Sequence, residues 1–297
     1  MRSSAMKKNN QLYNTMIKKI ILFASIFIIA PSTFSQNSFQ ENYKKVDTVF
    51  LQMEIFLPPN IDSSKSYPAL VFFFGGGWKN GGTGQFKQHA KYFSERGIAC
   101  FLADYRVKTR QNTSPFESLK DAKSAIRFIR ANAKKYHVDP TKIVASGGSA
   151  GGHLAAATAL IKDYNEDSDD LNQSCIPNAL ILFNPVIDNG PGGYGYDRIG
   201  DNYKNFSPIH NILIGAPPTL FLLGTQDILI PVATAKYYKT VMEKVGSRCD
   251  LKLYEGESHG FFNYHKKSNY YKTVYEADKF LTSLGYLKGE PTIKLEN

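Results

Sequence analysis

Apolar residues in this chain fall into short blocks, and the blocks alternate with stretches of helical spacing. TVFLQMEIFLP, from Thr48 to Pro58, partly alternates apolar with polar, which predicts a half-buried strand. PALVFFF (Pro68 to Phe74), IACFLADY (from Ile98), KIVASGG (from Lys142), ALILFN (from Ala179) and PTLFLLG (from Pro218) are near-continuous apolar runs bounded by turn residues. Runs of that kind suit strands buried on both faces of a parallel sheet. CDLKLYEG, from Cys249, is one more strand.

Between the blocks the period changes. A helix is predicted from about Gln85 to Arg96, with Phe86, Ala90 and Phe93 on one side. Ser114 and Pro115 open a longer one whose Phe116, Leu119, Ala122, Ile126, Ile129 and Ala133 recur at three- and four-residue spacing; the serine caps and the proline suits the first turn. Further helices are expected from near Ala150, after Pro231, and from about Ser268 to Leu284. Strand followed by helix, repeated, predicts an α/β fold with a mostly parallel central sheet and helices on both faces. One region departs from the rhythm. Asp188 to Asn211 is rich in glycine, tyrosine and polar residues and reads as an irregular loop insertion leaving a strand end, where sheets of this class keep their ligand sites.

The N-terminus changes the domain picture. Lys18 and Lys19 precede the apolar run Ile20 to Ala30, followed by Pro31 and small residues before Gln36, in the order of a secretory signal peptide. Residues 1–35 are therefore expected to be removed, with an uncleaved anchor as the alternative; the run is short for a bilayer span. Residues 36–287 would form one domain, followed by a mobile tail over 288–297. A periplasmic or secreted location follows, without stable membrane insertion once the signal is cleaved. Removing Arg2, Lys7, Lys8, Lys18 and Lys19 lowers the net charge from +10 to +5. The remaining lysines are interspersed with acids, which argues against a nucleic-acid groove but leaves weak attraction to anionic polymers open. Cys100, Cys175 and Cys249 are too few for a disulfide scaffold; Cys100 reads as a buried strand residue, and a Cys175–Cys249 pair stays open. No spacing resembles a metal site, and no cofactor is expected. The pattern sets no oligomeric state.

The chemistry gathers where apolar blocks end. Gly147-Gly148-Ser149-Ala150-Gly151 fits G-x-S-x-G between a strand and a helix, a setting that lifts the serine above the sheet on a sharp turn. A serine hydroxyl is a weak nucleophile and needs a base, which needs an orienting acid. Asp227 just past PTLFLLG and His259 just past CDLKLYEG would both emerge at the same sheet edge as Ser149. Asp188 is the alternative acid, and His153 reads as a packing or capping residue. Hydrolysis of an ester through such a serine places negative charge on the carbonyl oxygen, which requires N–H donors already aimed there. The glycine run after Phe74 offers the Gly76 and Gly77 amides, and Ala150, next after the serine, offers a third. A merely tight turn is the other reading of those glycines.

FFFGGGW, DYR (Asp104 to Arg106), GGSAGGH, GTQD and ESHGF together resemble the α/β-hydrolase superfamily, specifically hormone-sensitive-lipase-like bacterial carboxylesterases and carbohydrate acyl esterases, over roughly Val46 to Leu287. The resemblance implies a serine carboxylesterase acting through an acyl-enzyme. The substrate expected is a small-molecule or glycan ester, with short-chain or aromatic acyl groups on carbohydrate. A lipase- or peptidase-like hydrolase and a non-catalytic binding protein of the same fold are the alternatives. Trp78, Tyr194 and Tyr196 are candidate substrate contacts, with ordinary packing as the competing role. The family usually has histidine before the glycines where this chain has Phe74, which puts the support of that loop in question. Arg106 is expected to fix nearby loops through its fork of donors.

Overall fold

The computed structural model describes residues 38–295; the expected signal peptide lies outside the described residues. In chain order the elements are β1 (Ser38–Val46), β2 (Val49–Phe56), β3 (Tyr67–Phe73), α1 (Lys87–Glu95), β4 (Ala99–Ala103), α2 (Lys108–Gln111), α3 (Pro115–Ala131), β5 (Val138–Gly148), α4 (Ala150–Leu160), β6 (Ala179–Phe183), α5 (Tyr196–Ile199), α6 (Tyr203–Phe206), β7 (Thr219–Gly224), α7 (Val232–Lys244), β8 (Cys249–Tyr254) and α8 (Lys267–Ser283). The strands form one eight-stranded sheet in the order β1-β2-β4-β3-β5-β6-β7-β8. β1 and β2 pair antiparallel, as do β2 and β4, and every pairing from β4 through β8 is parallel.

The continuous apolar blocks divide their side chains between two cores. Val71, Phe73, Ala145, Leu182 and Phe221 pack with Leu119, Ile126 and Ile129 of α3, Leu154 of α4 and Tyr238 of α7. Their chain neighbours Leu70, Phe72, Val144, Ile181 and Leu222 pack on the other face with Phe93 of α1 and Val274, Phe280 and Leu281 of α8. A strand with helices on both sides has no solvent face, so its sequence has no polar face either. α3 starts on a full capping box, with the Ser114 hydroxyl accepting from the Phe116 amide and the Glu117 carboxylate accepting from the Ser114 amide.

Three segments differ from expectation. The polar stretch after Gln36, where the hydrophobic pattern predicts no element, contains β1, an edge strand with a register shift between Asn42 and Lys44. Its Lys44 is buried in an ion network with Asp121, Arg106 and Glu166. Arg106 thereby ties β4's exit to α3, donating to Asp121 from its backbone amide as well as its guanidinium. The insertion after Asp188 is not wholly irregular but carries α5 and α6, four residues each and too short to show a period. The segment from Lys288, expected to be mobile, contacts the domain: Arg96 donates to the Lys288 and Gly289 carbonyls, and Tyr92 Oη accepts from the Thr292 and Ile293 amides. Cys100, Cys175 and Cys249 are free, buried thiols. Among the described residues no helix is long and apolar enough to cross a membrane.

Candidate active site

β5 ends at Gly148 and α4 begins at Ala150, so the chain reverses within Ser149, whose φ of 54° and ψ of −118° lie outside the ordinary regions. Close packing explains the flanking glycines. A Cβ on Gly151 would sit 2.0 Å from the Phe73 carbonyl oxygen, and one on Gly147 would sit 2.3 Å from the Gly151 oxygen. The elbow is braced from β6: the Ser149 amide donates to the Phe183 carbonyl, and the Val186 amide donates to the Ser149 carbonyl.

Asp227 and His259 follow β7 and β8, and the parallel sheet brings both to the serine's edge. Ser149 Oγ lies 2.8 Å from His259 Nε2. His259 Nδ1 lies 2.7 Å from Asp227 Oδ2. The Asp227 side chain is fully buried, whereas that of His259 is 22% exposed. The other carboxylate oxygen, Asp227 Oδ1, accepts from the Leu229 and Ile230 amides at 2.9 and 3.0 Å. Asp188, the alternative acid, has Oδ1 occupied by the Gly190 amide and makes no contact with the histidine. His153 is buried, with Nε2 2.9 Å from the Phe206 carbonyl oxygen, and burial pushes its pKa down to about 3. It is a neutral packing residue.

The glycine loop runs beside the elbow: a Cβ on Gly75 would lie 3.5 Å from Ser149 Cβ. Gly76 adopts φ +126°, and a side chain there would strike the Asn80 carbonyl oxygen at 2.2 Å, so this turn requires glycine. The Gly76, Gly77 and Ala150 amides meet no acceptor among the described residues. Donors left free beside a nucleophile are what a developing oxyanion needs. Phe74 takes over support where the family usually has histidine. Its ring stacks on Tyr105 at 4.0 Å between centroids, and Tyr105 Oη donates to the Phe74 carbonyl at 2.6 Å.

Several residues at this edge are missed by sequence reasoning. Asn184, directly after β6, accepts from the Gly260 amide through Oδ1 at 3.0 Å, which turns its Nδ2 toward His259 Nε2 at 3.3 Å. An N–H donor facing Nε2 favours the tautomer with its proton on Nδ1, the one able to receive a proton from Ser149. Gln85 accepts from the Gly75 amide at 2.6 Å and donates to Asn263 Oδ1 at 2.9 Å, while Asn263 donates to the Gly260 carbonyl at 2.8 Å. This chain of amides links the glycine loop to the histidine loop. Gln85→Leu is expected to fold, yet to lose about 10- to 100-fold in kcat as the two loops drift apart. Steady-state kinetics on a soluble ester checks it, and an unchanged kcat would show that the link does not position the site. The one sequence sign of these residues is Asn184's place at the end of an apolar block.

Of the candidate substrate contacts, Trp78 is 1% exposed and packs on His153 and Phe206, so packing is its observed role. Tyr194 reaches the glycine loop, its hydroxyl 2.5 Å from where a Gly77 Cβ would be. Tyr196 contacts Asp201 and Tyr203 within the insertion and touches neither the triad nor the glycines. Arg198 was not foreseen: it donates to the Gly77 carbonyl and lies over the Trp78 and Tyr194 rings at 5.3 and 5.1 Å. A hollow of about 580 Å³ lies elsewhere, between the end of α4 and Leu213–Ala216, and no triad residue lines it. Volume and chemistry thus point to different places, and hydrogen-bond geometry locates the reacting centre. Among the described residues no group of His, Cys, Asp and Glu is arranged to hold a metal.

A serine, aspartate and histidine in that chain order, at the edge of a parallel sheet and facing free loop amides, define an α/β-hydrolase. Comparison with known proteins agrees. The BD-FAE family model matches residues 53–190 and the dienelactone hydrolase family model residues 191–286. The structure of Thermogutta terrifontis esterase 2 phosphorylated by paraoxon is 42% identical, with a TM-score of 0.81 covering 85% of this chain and 96% of that one. The butyrate-bound form of that esterase has the same identity, TM-score and coverage. An acetylxylan esterase of Xylanibacter ruminicola is 29% identical over 82% of this chain and 49% of its own length. The probable carboxylic ester hydrolase LipM of Mycobacterium tuberculosis is 27% identical over 66% of this chain and 49% of its own. The chain spans about half the length of these two curated relatives. It belongs to the α/β-hydrolase carboxylesterase family.

Proposed function

We propose that this protein is a serine carboxylesterase that removes short acyl groups, acetyl foremost, from carbohydrate. The observation that carries the reading is the continuous relay from Asp227 through His259 to Ser149 beside unoccupied loop amides. His259 takes the hydroxyl proton as Ser149 Oγ attacks the ester carbonyl, and Asp227 stabilises the resulting imidazolium. Charge on the carbonyl oxygen is met by the Gly76, Gly77 and Ala150 amides, each such donor stabilising the transition state by about 3 kcal/mol. Collapse returns the proton from His259 to the departing alcohol. Water then attacks the acyl-Ser149 ester by the same route, releasing the acid.

Two relatives support the choice of substrate. One is named an acetylxylan esterase, and the structurally similar esterase has been solved with butyrate and with propionate. Export is part of the reading and rests on the N-terminal pattern. The test is a series of 4-nitrophenyl esters from acetate to laurate, together with acetate release from acetylated xylan. The expected result is highest kcat/KM on the two- to four-carbon esters and free acetate from the glycan. Preference for the long chains would point to a lipase, and a wholly inactive protein to a binding role.

A further inference from the structure

Directly past the glycine loop lies a smaller hollow of about 220 Å³. Lys79, Lys108 and Arg198 line it together with Trp78 and the start of α3 around Ser114, and no acidic residue is among its lining. Arg198 is held in place by the Gly77 carbonyl and the Trp78 and Tyr194 rings. Its only carboxylate partner among the described residues is Asp197, at 3.4 Å and 73% exposed, a pairing of little strength in water. Lys79 and Lys108 form no ion pair with any described residue: the nearby Asp104 is taken by Arg110, and Glu117 by the Ser114 cap. The N-terminus of the 17-residue α3 lies at the same wall, but its partial charge is already met by the Glu117 carboxylate of the cap, so the three side-chain cations carry the site.

Three cations around one concavity repel each other, so their grouping costs energy in the empty protein even though Arg198 has contacts of its own. It gains energy once an anion enters. Position links the hollow to the chemistry. No triad residue lines it, but Arg198 bonds the Gly77 carbonyl, and Trp78 and Lys79 follow Gly77 within two residues of chain, at most about 8 Å, which sets the hollow beside the Gly77 amide. We propose that this hollow is an anion subsite that receives a carboxylate carried by the ester substrate. On the carbohydrate reading, the group would belong to an acidic sugar beside the acylated one. The inference rests on the esterase reading above and narrows it to acidic substrates.

The test compares kcat/KM for two pairs of esters that differ only in charge, using the full mature chain. One pair places the carboxylate on the alcohol side: acetylated xylo-oligosaccharides with and without a uronic acid branch. The other places it on the acyl side: 4-nitrophenyl hemisuccinate against 4-nitrophenyl butyrate. The readout is the acidic-to-neutral ratio, which a general loss of activity does not move. The wild-type ratio is expected to exceed one by about tenfold for the pair that matches the natural substrate, and to fall toward one in 0.5 M salt. Lys108→Gln and Lys79→Gln should each lower that ratio several-fold, and Lys108→Glu should lower it further. A ratio at or below one for both pairs, or a high ratio unmoved by the lysine substitutions, would overturn the subsite. Turnover of the neutral esters separates the two readings: a ratio of one with brisk neutral turnover removes the subsite alone, whereas no turnover of any ester removes the esterase.

Discussion

Ser149→Ala is expected to abolish ester hydrolysis, lowering kcat by about 10⁴- to 10⁶-fold while the fold is retained. The size follows from how the relay works. His259 has nothing to deprotonate once Oγ is gone, and the loop amides alone retain only a small acceleration over water. Folding should survive, because the elbow is held by backbone contacts that alanine keeps: the residue-149 amide to Phe183 and its carbonyl to Val186. A second readout is independent of turnover. Exposed to paraoxon, the wild-type chain should gain one diethylphosphoryl group on Ser149 by mass spectrometry, and the variant none. Residual activity within tenfold of wild type, or a label on another residue, would remove Ser149 from the centre of the mechanism.

The glycine loop and triad are legible in sequence because each follows an apolar block, and a parallel sheet delivers all such block ends to one edge. β3, β5, β7 and β8 need only be recognised as strands for Gly75–Gly77, Ser149, Asp227 and His259 to converge. What stays hidden depends on tertiary approach. β1 is an edge strand whose polar residues carry no alternation, and burial of Lys44 is set by Asp121, 77 residues away. Gln85 and Asn263 meet across 178 residues, and no local pattern marks an amide whose partner lies so far along the chain. Trp78 shows the converse. Its place after the glycines is as fit for a pocket wall as for a core, and only its packing on His153 and Phe206 decides. The insertion was legible as a departure from rhythm, yet its useful contact, Arg198 on the Gly77 carbonyl, depends on where α5 is laid down.

Asp227→Asn should cost about 10⁴-fold in kcat with KM nearly unchanged, and the hydrogen bonds around the carboxylate say why. Asp227 Oδ1 accepts two backbone N–H groups, from Leu229 and Ile230, so the oxygen of an asparagine must take that place. Its NH₂ is then forced into the position of Oδ2, facing His259 Nδ1. Flipping the amide would set its NH₂ against the two backbone N–H groups at a buried site, a mismatch costing on the order of 1–3 kcal/mol or more. With a donor opposite Nδ1, the imidazole must carry its proton on Nε2, and in that form it cannot accept the proton of Ser149. The substitution therefore removes the base without moving it. ¹⁵N chemical shifts of the histidine should report a protonated Nδ1 in the wild type and a protonated Nε2 in the variant, alongside the kinetic loss. Asp188→Asn is the matched control: among the described residues its carboxylate accepts only from the Gly190 amide, and activity should change less than threefold. If instead Asp227→Asn retained activity within tenfold while Asp188→Asn lost it, the acid of this relay would be Asp188, and the arrangement drawn from β7 would be wrong.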